Sequence, residues 1–161
     1  MATQINEETA RKLRAFARGE MTWAEVEGMT WERARAAIAA GCELAAAERL
    51  DEACVVFEAL VAMNPKDAVS QAALGTVYQK LGRPLDAEAA YSAALRIDAK
   101  NAVALSNRGE LRLKRGDKEG AVDLARAIEA DPEGETVAAR RARALLRALA
   151  IQLVNSRNGR V

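Results

Sequence analysis

Leu74-Gly75-Thr76-Val77-Tyr78, followed by Ala87-Glu88-Ala89-Ala90-Tyr91-Ser92-Ala93-Ala94, is the stretch whose reading decides the fold. It recurs. Gly41, Gly75 and Gly109 stand 34 residues apart, and the segments 34–67, 68–101 and 102–135 align in that register. The first segment has Gly41, Leu44, Ala53 and Phe57 and closes on Pro65; the third has Gly109, Ala121 and Leu124 and closes on Pro132. A fixed period of this length marks a stacked array of helix pairs, each unable to bury its apolar face without a neighbour.

These residue types have a physical reason. A Gly on the first helix of a unit, facing an Ala on the second, would let the two backbones approach closely. The expected pairs are Gly41/Ala53, Gly75/Ala87 and Gly109/Ala121. A Gly inside a helix costs about 1 kcal/mol relative to Ala, and close packing would offset that. Phe57 and Tyr91 would fill the space between successive units. Gly82 suits the end of one helix and Pro84 the first turn of the next, with Gly116-Asp117 repeating the turn. The pattern resembles the tetratricopeptide repeat, W-x2-L-G-x2-Y, then A-x3-F, then P. Departures are Ala37, Gln71 and Leu105 at the Trp position, and Arg108 and Arg112 for the Leu and Tyr of the third unit. The third unit is also one residue short, a deletion we place in its second helix. The resemblance implies an all-α, right-handed superhelical solenoid of three helix-turn-helix units.

Flanking segments lie outside the repeat. Residues 1–33 hold a helix over 6–18, with Leu13, Phe16 and Ala17 on one side. A capping box, Thr22-Trp23-Ala24-Glu25, then opens a short helix that stops at Gly28, and Thr30 caps the next start. Trp23 and Trp31 are the only tryptophans. Two readings stand for them: a cover over the open end of the stack, or, with Phe16, a self-association surface through the N-terminal helices. Residues 136–161 form a C-terminal capping helix and basic tail, with Ala142, Leu145, Leu146, Leu149 and Leu153 in one stripe over 136–154. This segment carries six arginines and no acid, whereas the rest of the chain is net acidic. Without an aromatic in the stripe it reads as a polar-faced cap, the alternative being intramolecular or intersubunit attraction to the acidic body, rather than as a nucleic-acid site.

Composition removes other classes. Net charge is +1, so nothing draws the whole chain to nucleic acid or membrane. No apolar run approaches the ~18 residues of a membrane span, and residues 1–20 lack a signal-peptide core. There is no histidine, and Cys42 and Cys54 have no metal spacing, so no catalytic residue, metal site or cofactor is expected. Paired acids such as Glu7/Glu8 and Asp51/Glu52 fall where they favour helix starts.

In tetratricopeptide arrays the first helix of each unit lines the concave face. The resemblance therefore places Arg35, Ile38, Cys42, Ala45 and Ala46 of the first unit in a peptide-binding groove. Val69, Ala72, Thr76, Gln79 and Lys80 join them from the second, and Val103, Ser106, Glu110, Leu113 and Lys114 from the third. Such a surface suits a protein or peptide client presenting a few apolar anchors. The clamp that related arrays use for a free C-terminal carboxylate falls on Ile38, Cys42, Ala73, Val103 and Asn107, none of which has the needed side chain.

The layout as a whole resembles the class II chaperones of type III secretion, from Phe16 to Ala130. It includes the stretch Met21–Ala34 and Phe57-Glu58-Ala59-Leu60 followed by Asn64-Pro65. That resemblance implies a cytoplasmic protein that dimerises through N-terminal helices and holds a hydrophobic translocator before export. The groove, poor in aromatics, departs from that family. A scaffold or adaptor in a bacterial regulatory or motility assembly is the alternative.

Overall fold

The computed structural model describes residues 7–158, apart from the side chains at 9, 10, 13, 157 and 158. The expected roles of Asn6 and of the Leu13 side chain lie outside the described residues. The described residues form helices without strands. A lead-in of α1 (Glu7–Ala17) and α2 (Trp23–Val26) precedes the array. The units then follow as α3 (Trp31–Ala46) with α4 (Leu50–Met63), α5 (Ala68–Lys80) with α6 (Pro84–Ile97), and α7 (Ala102–Lys114) with α8 (Glu119–Ala130). Finally α9 (Val137–Asn158) packs on α7 and α8, and runs a turn beyond the expected end.

Local chemistry sets these boundaries. Thr22 and Glu25 form the expected capping box, and Thr30 accepts from the Arg33 N–H at 3.3 Å. Asp67 and Asn101, 34 residues apart, cap α5 and α7 by accepting from Val69, Ser70 and Ala104 N–H groups. Pro84 occupies the first turn of α6. Gly82 and Gly116 end α5 and α7 with φ of 71° and 82°, in the left-handed region. The first unit has Glu48 at the same place, with φ 57°, so its side chain bears a conformation that glycine would adopt freely.

The core runs along the stack. Phe57, Leu60, Leu74 and Val77 join the first unit to the second, and Tyr91, Ala94, Ala104 and Leu111 join the second to the third. Leu105, Leu124, Ala127 and Ala142 join the third to α9. Each cluster draws on both neighbours, so no unit owns a complete core.

Two details of the expected packing need correction. At Gly41 and Gly75 the closest neighbour is the aromatic ring of the same unit. A Cβ at Gly41 would stand 2.7 Å from Phe57 Cζ, and one at Gly75 would stand 2.7 Å from Tyr91 Cδ1 and Cε1. The glycines make room for a ring. In the third unit, where Leu124 replaces the ring, Gly109 meets the carbonyl oxygen of Gly120 at 2.8 Å from its would-be Cβ. The backbone pair is thus Gly109/Gly120 rather than Gly109/Ala121. Gly116 follows Gly82 by 34 residues, whereas Gly120, Leu124 and Ala127 follow Ala87, Tyr91 and Ala94 by 33. The missing residue therefore lies between Gly116 and Gly120, at the turn, and the helix behind it is in register.

Arg108 and Arg112 also find their reason. Arg108 donates two hydrogen bonds to Asp123, at 2.7 and 2.8 Å, and one to Ser92; Arg112 reaches Glu88 at 2.9 Å and Asp123 at 3.1 Å. A charged network across α6, α7 and α8 replaces the apolar pair of the repeat. Asp123, only 3% exposed, has its charge fully compensated.

Candidate functional site

The N-terminal ends of α5 and α7 bring Val69 and Val103 together, 52% and 45% exposed. Between them and α3 opens a pocket of about 350 Å³, lined by Cys42, Ala45, Val69, Ala72, Thr76 and Val103 of the expected groove. Phe57, Ala73, Val77 and Asn101 complete the lining. Phe57 and Val77, each 1% exposed, form the floor. The small side chains at 42, 45, 72 and 73 give the pocket its depth.

Its few polar groups are engaged. Thr76 donates to the Ala72 carbonyl at 3.0 Å, while its hydroxyl oxygen faces the Tyr91 hydroxyl and the Asn107 amide, each at 3.3 Å. Tyr91 donates to Gln79 at 2.8 Å, and burial pushes its phenol above the ordinary range. At one border Lys80 donates to the Ala45 carbonyl at 3.1 Å and to Glu48 at 2.8 Å.

Other expected groove residues lie elsewhere. Arg35 and Ala46 are exposed but outside the pocket lining, and Ile38 packs against the core of the first two units. Ser106 is 1% exposed, and Leu113 packs against the cluster joining α7, α8 and α9. Glu110, 8% exposed, pairs with Arg141 of α9 and with Lys114 at 2.8 Å. The reason is the docking of α9. Its Arg141 reaches Glu110 and approaches Asn107 at 3.5 Å, so ion pairs engage the polar side chains of the third unit. Ala73 was expected only as a clamp position, and spacing alone missed Asn101, Phe57 and Val77. The repeated cap at Asp67 and Asn101 was the available signal for Asn101.

The aromatic residues of the lead-in split. Phe16 and Trp23 stack edge to face, 5.4 Å between ring centroids at 68°, and remain 42% and 37% exposed. Trp31 is 66% exposed and borders a separate cleft of about 530 Å³ between the lead-in and α4, with Met21, Met29 and Met63. The stripe on α9 is buried at Ala142 and emerges at Leu153, 60% exposed beside Ile151 and Val154. Both cysteines are free thiols; burial and the Glu58 carboxylate push Cys54 up to about 11, which keeps it protonated. No described helix is long and apolar enough to cross a membrane.

The tetratricopeptide repeat family matches residues 68–101. No curated protein matches the sequence. Among solved structures, the type III secretion translocator chaperone SycD of Yersinia enterocolitica superposes with a TM-score of 0.72 at 22% identity, covering 80% of this chain and 98% of that one. SycD in complex with a peptide of the translocator YopD gives 0.67 at 21%, covering 77% and 97%. PcrH from Pseudomonas aeruginosa gives 0.67 at 26%, covering 76% and 95%. One tetratricopeptide repeat is thus matched in sequence, and the array around it has the fold of the type III secretion translocator chaperones.

Proposed function

We propose that the chain is a non-catalytic, cytoplasmic chaperone that holds an apolar segment of a translocator-type client in its concave groove. The observation that carries this is the apolar pocket made by α3, α5 and α7, in a fold whose relative SycD is seen with a translocator peptide. Each fully buried apolar anchor contributes roughly 1.5–3 kcal/mol, while ordering a flexible segment removes several. Two or three anchors therefore leave at most about 4–7 kcal/mol, a dissociation constant of roughly ten micromolar to millimolar. That suits a holder that must release its client.

The test uses Val69→Glu combined with Val103→Glu, both at exposed positions. The tagged chain is expressed in its own host and its co-purifying partner identified. The double variant should lose that partner with unchanged helicity by circular dichroism. Equal recovery by both forms sinks the groove reading. A partner that is soluble without this chain points instead to a scaffold.

The same reading includes a homodimer through the N-terminal helices, supported by the exposed rings of Phe16, Trp23 and Trp31. Removing residues 1–29 should halve the mass measured by light scattering. An unchanged mass refutes it.

A further inference from the structure

We propose that two copies of this chain associate antiparallel through the outer face of α9, about a two-fold axis at Ile151. The helix stands where the first helix of a fourth unit would stand. Thr136 caps it by accepting from the Ala139 N–H at 3.2 Å, as Asn101 caps α7 by accepting from the Ala104 N–H at 3.0 Å. Ala104 and Ala139 are both fully buried. In the register that matches these two alanines, Gly109 and Leu113, which α7 turns to Gly120 of α8, fall on Ala144 and Ala148. Both are exposed, and no described helix follows α9 to cover them.

This end of α9 is not built for water. From Ala148 to Val154 it has one polar residue, Gln152, and a helix apolar all round is normally a buried one. Yet every residue from Ala150 to Ser156 is exposed, Ile151 by 62% and Val154 by 56%. Leu153, on the other side of the helix, continues the stripe of Ala142, Leu146 and Leu149 and takes no part in the outer face.

Symmetry and charge choose the occupant. The outer face holds Arg147, Ala148, Ile151, Val154 and Asn155, which stand three and four residues to either side of Ile151. Laid antiparallel on itself with Ile151 against Ile151, the face sets Ala148 against Val154, small against large. It also sets Arg147 against Asn155, a guanidinium against an amide oxygen. The two Arg147 then lie about 12 Å apart along the axis, beyond the screening length, whereas a parallel pair would put them side by side. No charge stands between Ala148 and Ser156 to oppose the approach. An anionic lipid surface draws on clusters of four or more cations. Here Arg140, Arg141 and Arg143 are engaged with Gly134, Glu110 and Pro132, which leaves Arg147 on this stretch. A second copy of the same face is the better match, and a two-fold contact closes on itself. The seam is about 21 Å long and gives each copy roughly 200–400 Å², under the ~800 Å² of a stable complex. Association is therefore weak, with a midpoint on the order of 100 µM.

Sedimentation equilibrium of the full chain from about 5 to 500 µM should show the mass doubling over that of the dilute chain. The readout is a ratio, so it holds whether or not the N-terminal helices already pair. Ile151→Glu and Ile151→Lys, at an exposed position, should each abolish the doubling with unchanged helicity by circular dichroism. Mixing the two variants should restore it, because the axis sets residue 151 against itself. A constant mass for the parent chain, or doubling that survives Ile151→Glu, overturns the proposal. A mixture no heavier than its parts overturns the two-fold. For register, Ile151→Cys in a Cys42→Ser chain, where Cys54 is buried, should cross-link under diamide at least tenfold faster than Leu153→Cys. Equal rates overturn the antiparallel seam. Flotation with phosphatidylserine vesicles that Ile151→Glu abolishes, without any doubling of mass, gives the face to lipid and overturns the pair.

Discussion

Gly75→Ala tests the packing on which the groove floor rests. The added methyl would stand 2.7 Å from Tyr91 Cδ1 and Cε1 and 3.1 Å from Cζ. Ordinary carbon contacts begin near 3.5 Å, so the ring would have to retreat by roughly 0.8 Å. It has nowhere to go: Tyr91 is 0% exposed, packed beside Ala72, Ala104 and Leu111, with its hydroxyl tied to Gln79 at 2.8 Å. Overpacking of this kind costs about 1–3 kcal/mol. Helix propensity favours Ala by about 1 kcal/mol. With two ring atoms in the way the upper end applies, leaving a net loss of about 2 kcal/mol, or about 4–8 °C in Tm for a chain of this size. Differential scanning calorimetry measures it, and Tyr91→Leu should absorb most of the loss in a double-mutant cycle. Gly41→Ala should cost less, because the atom met first is the untethered tip of Phe57. A Gly75→Ala protein melting at or above the parent temperature refutes the reasoning.

Two further predictions concern the ends of helices. Glu48→Gly removes a side chain from the left-handed region, gaining about 1 kcal/mol, and loses an exposed pair with Lys80 worth a fraction of that. Tm should rise by about 2 °C, whereas Glu48→Ala should not raise it, and equal behaviour of the two refutes the strain. Asp131, between α8 and α9, accepts from the N–H groups of Gly134, Glu135 and Thr136 and from the Thr136 hydroxyl, which holds its carboxyl at about 2 against the usual 3.8. A depressed folded value stabilises above the unfolded one and is lost as pH falls. The α8–α9 joint should therefore loosen between about pH 4 and pH 2. The amide resonances of 134–136 should titrate with a midpoint near 2, and a midpoint near 4 refutes the cap.

The helix pairs were legible because Gly41, Gly75 and Gly109 each sit at the same point of a fixed period. Turn chemistry at Gly82, Pro84 and Gly116 needed no tertiary context either. What opposes each glycine was not legible, since a ring and a backbone carbonyl demand the same absence of a Cβ. The site of the missing residue was half legible: the 34-residue step from Gly82 to Gly116 puts the loss after Gly116, but whether turn or helix lost it shows only once Gly120 is seen to take the place of Ala87. Arg108 and Arg112 were visible only as departures, because their partners Glu88 and Asp123 come from two other helices. For the groove, six of the fifteen expected lining residues meet at one pocket. Ser106, Glu110 and Leu113 do not, and their fate depends on where α9 lands, which no local pattern encodes.

The Glu110–Arg141 pair has one more consequence, for register. A segment lying in an open trough can slide along it, and every frame that presents an apolar residue competes with the right one. With Arg141 and Lys114 gathered on Glu110, the trough on the proposed reading has a charged mark at its third unit. A segment lying in it meets that charge at one end, so its anchor is selected by distance from the mark as well as by fit.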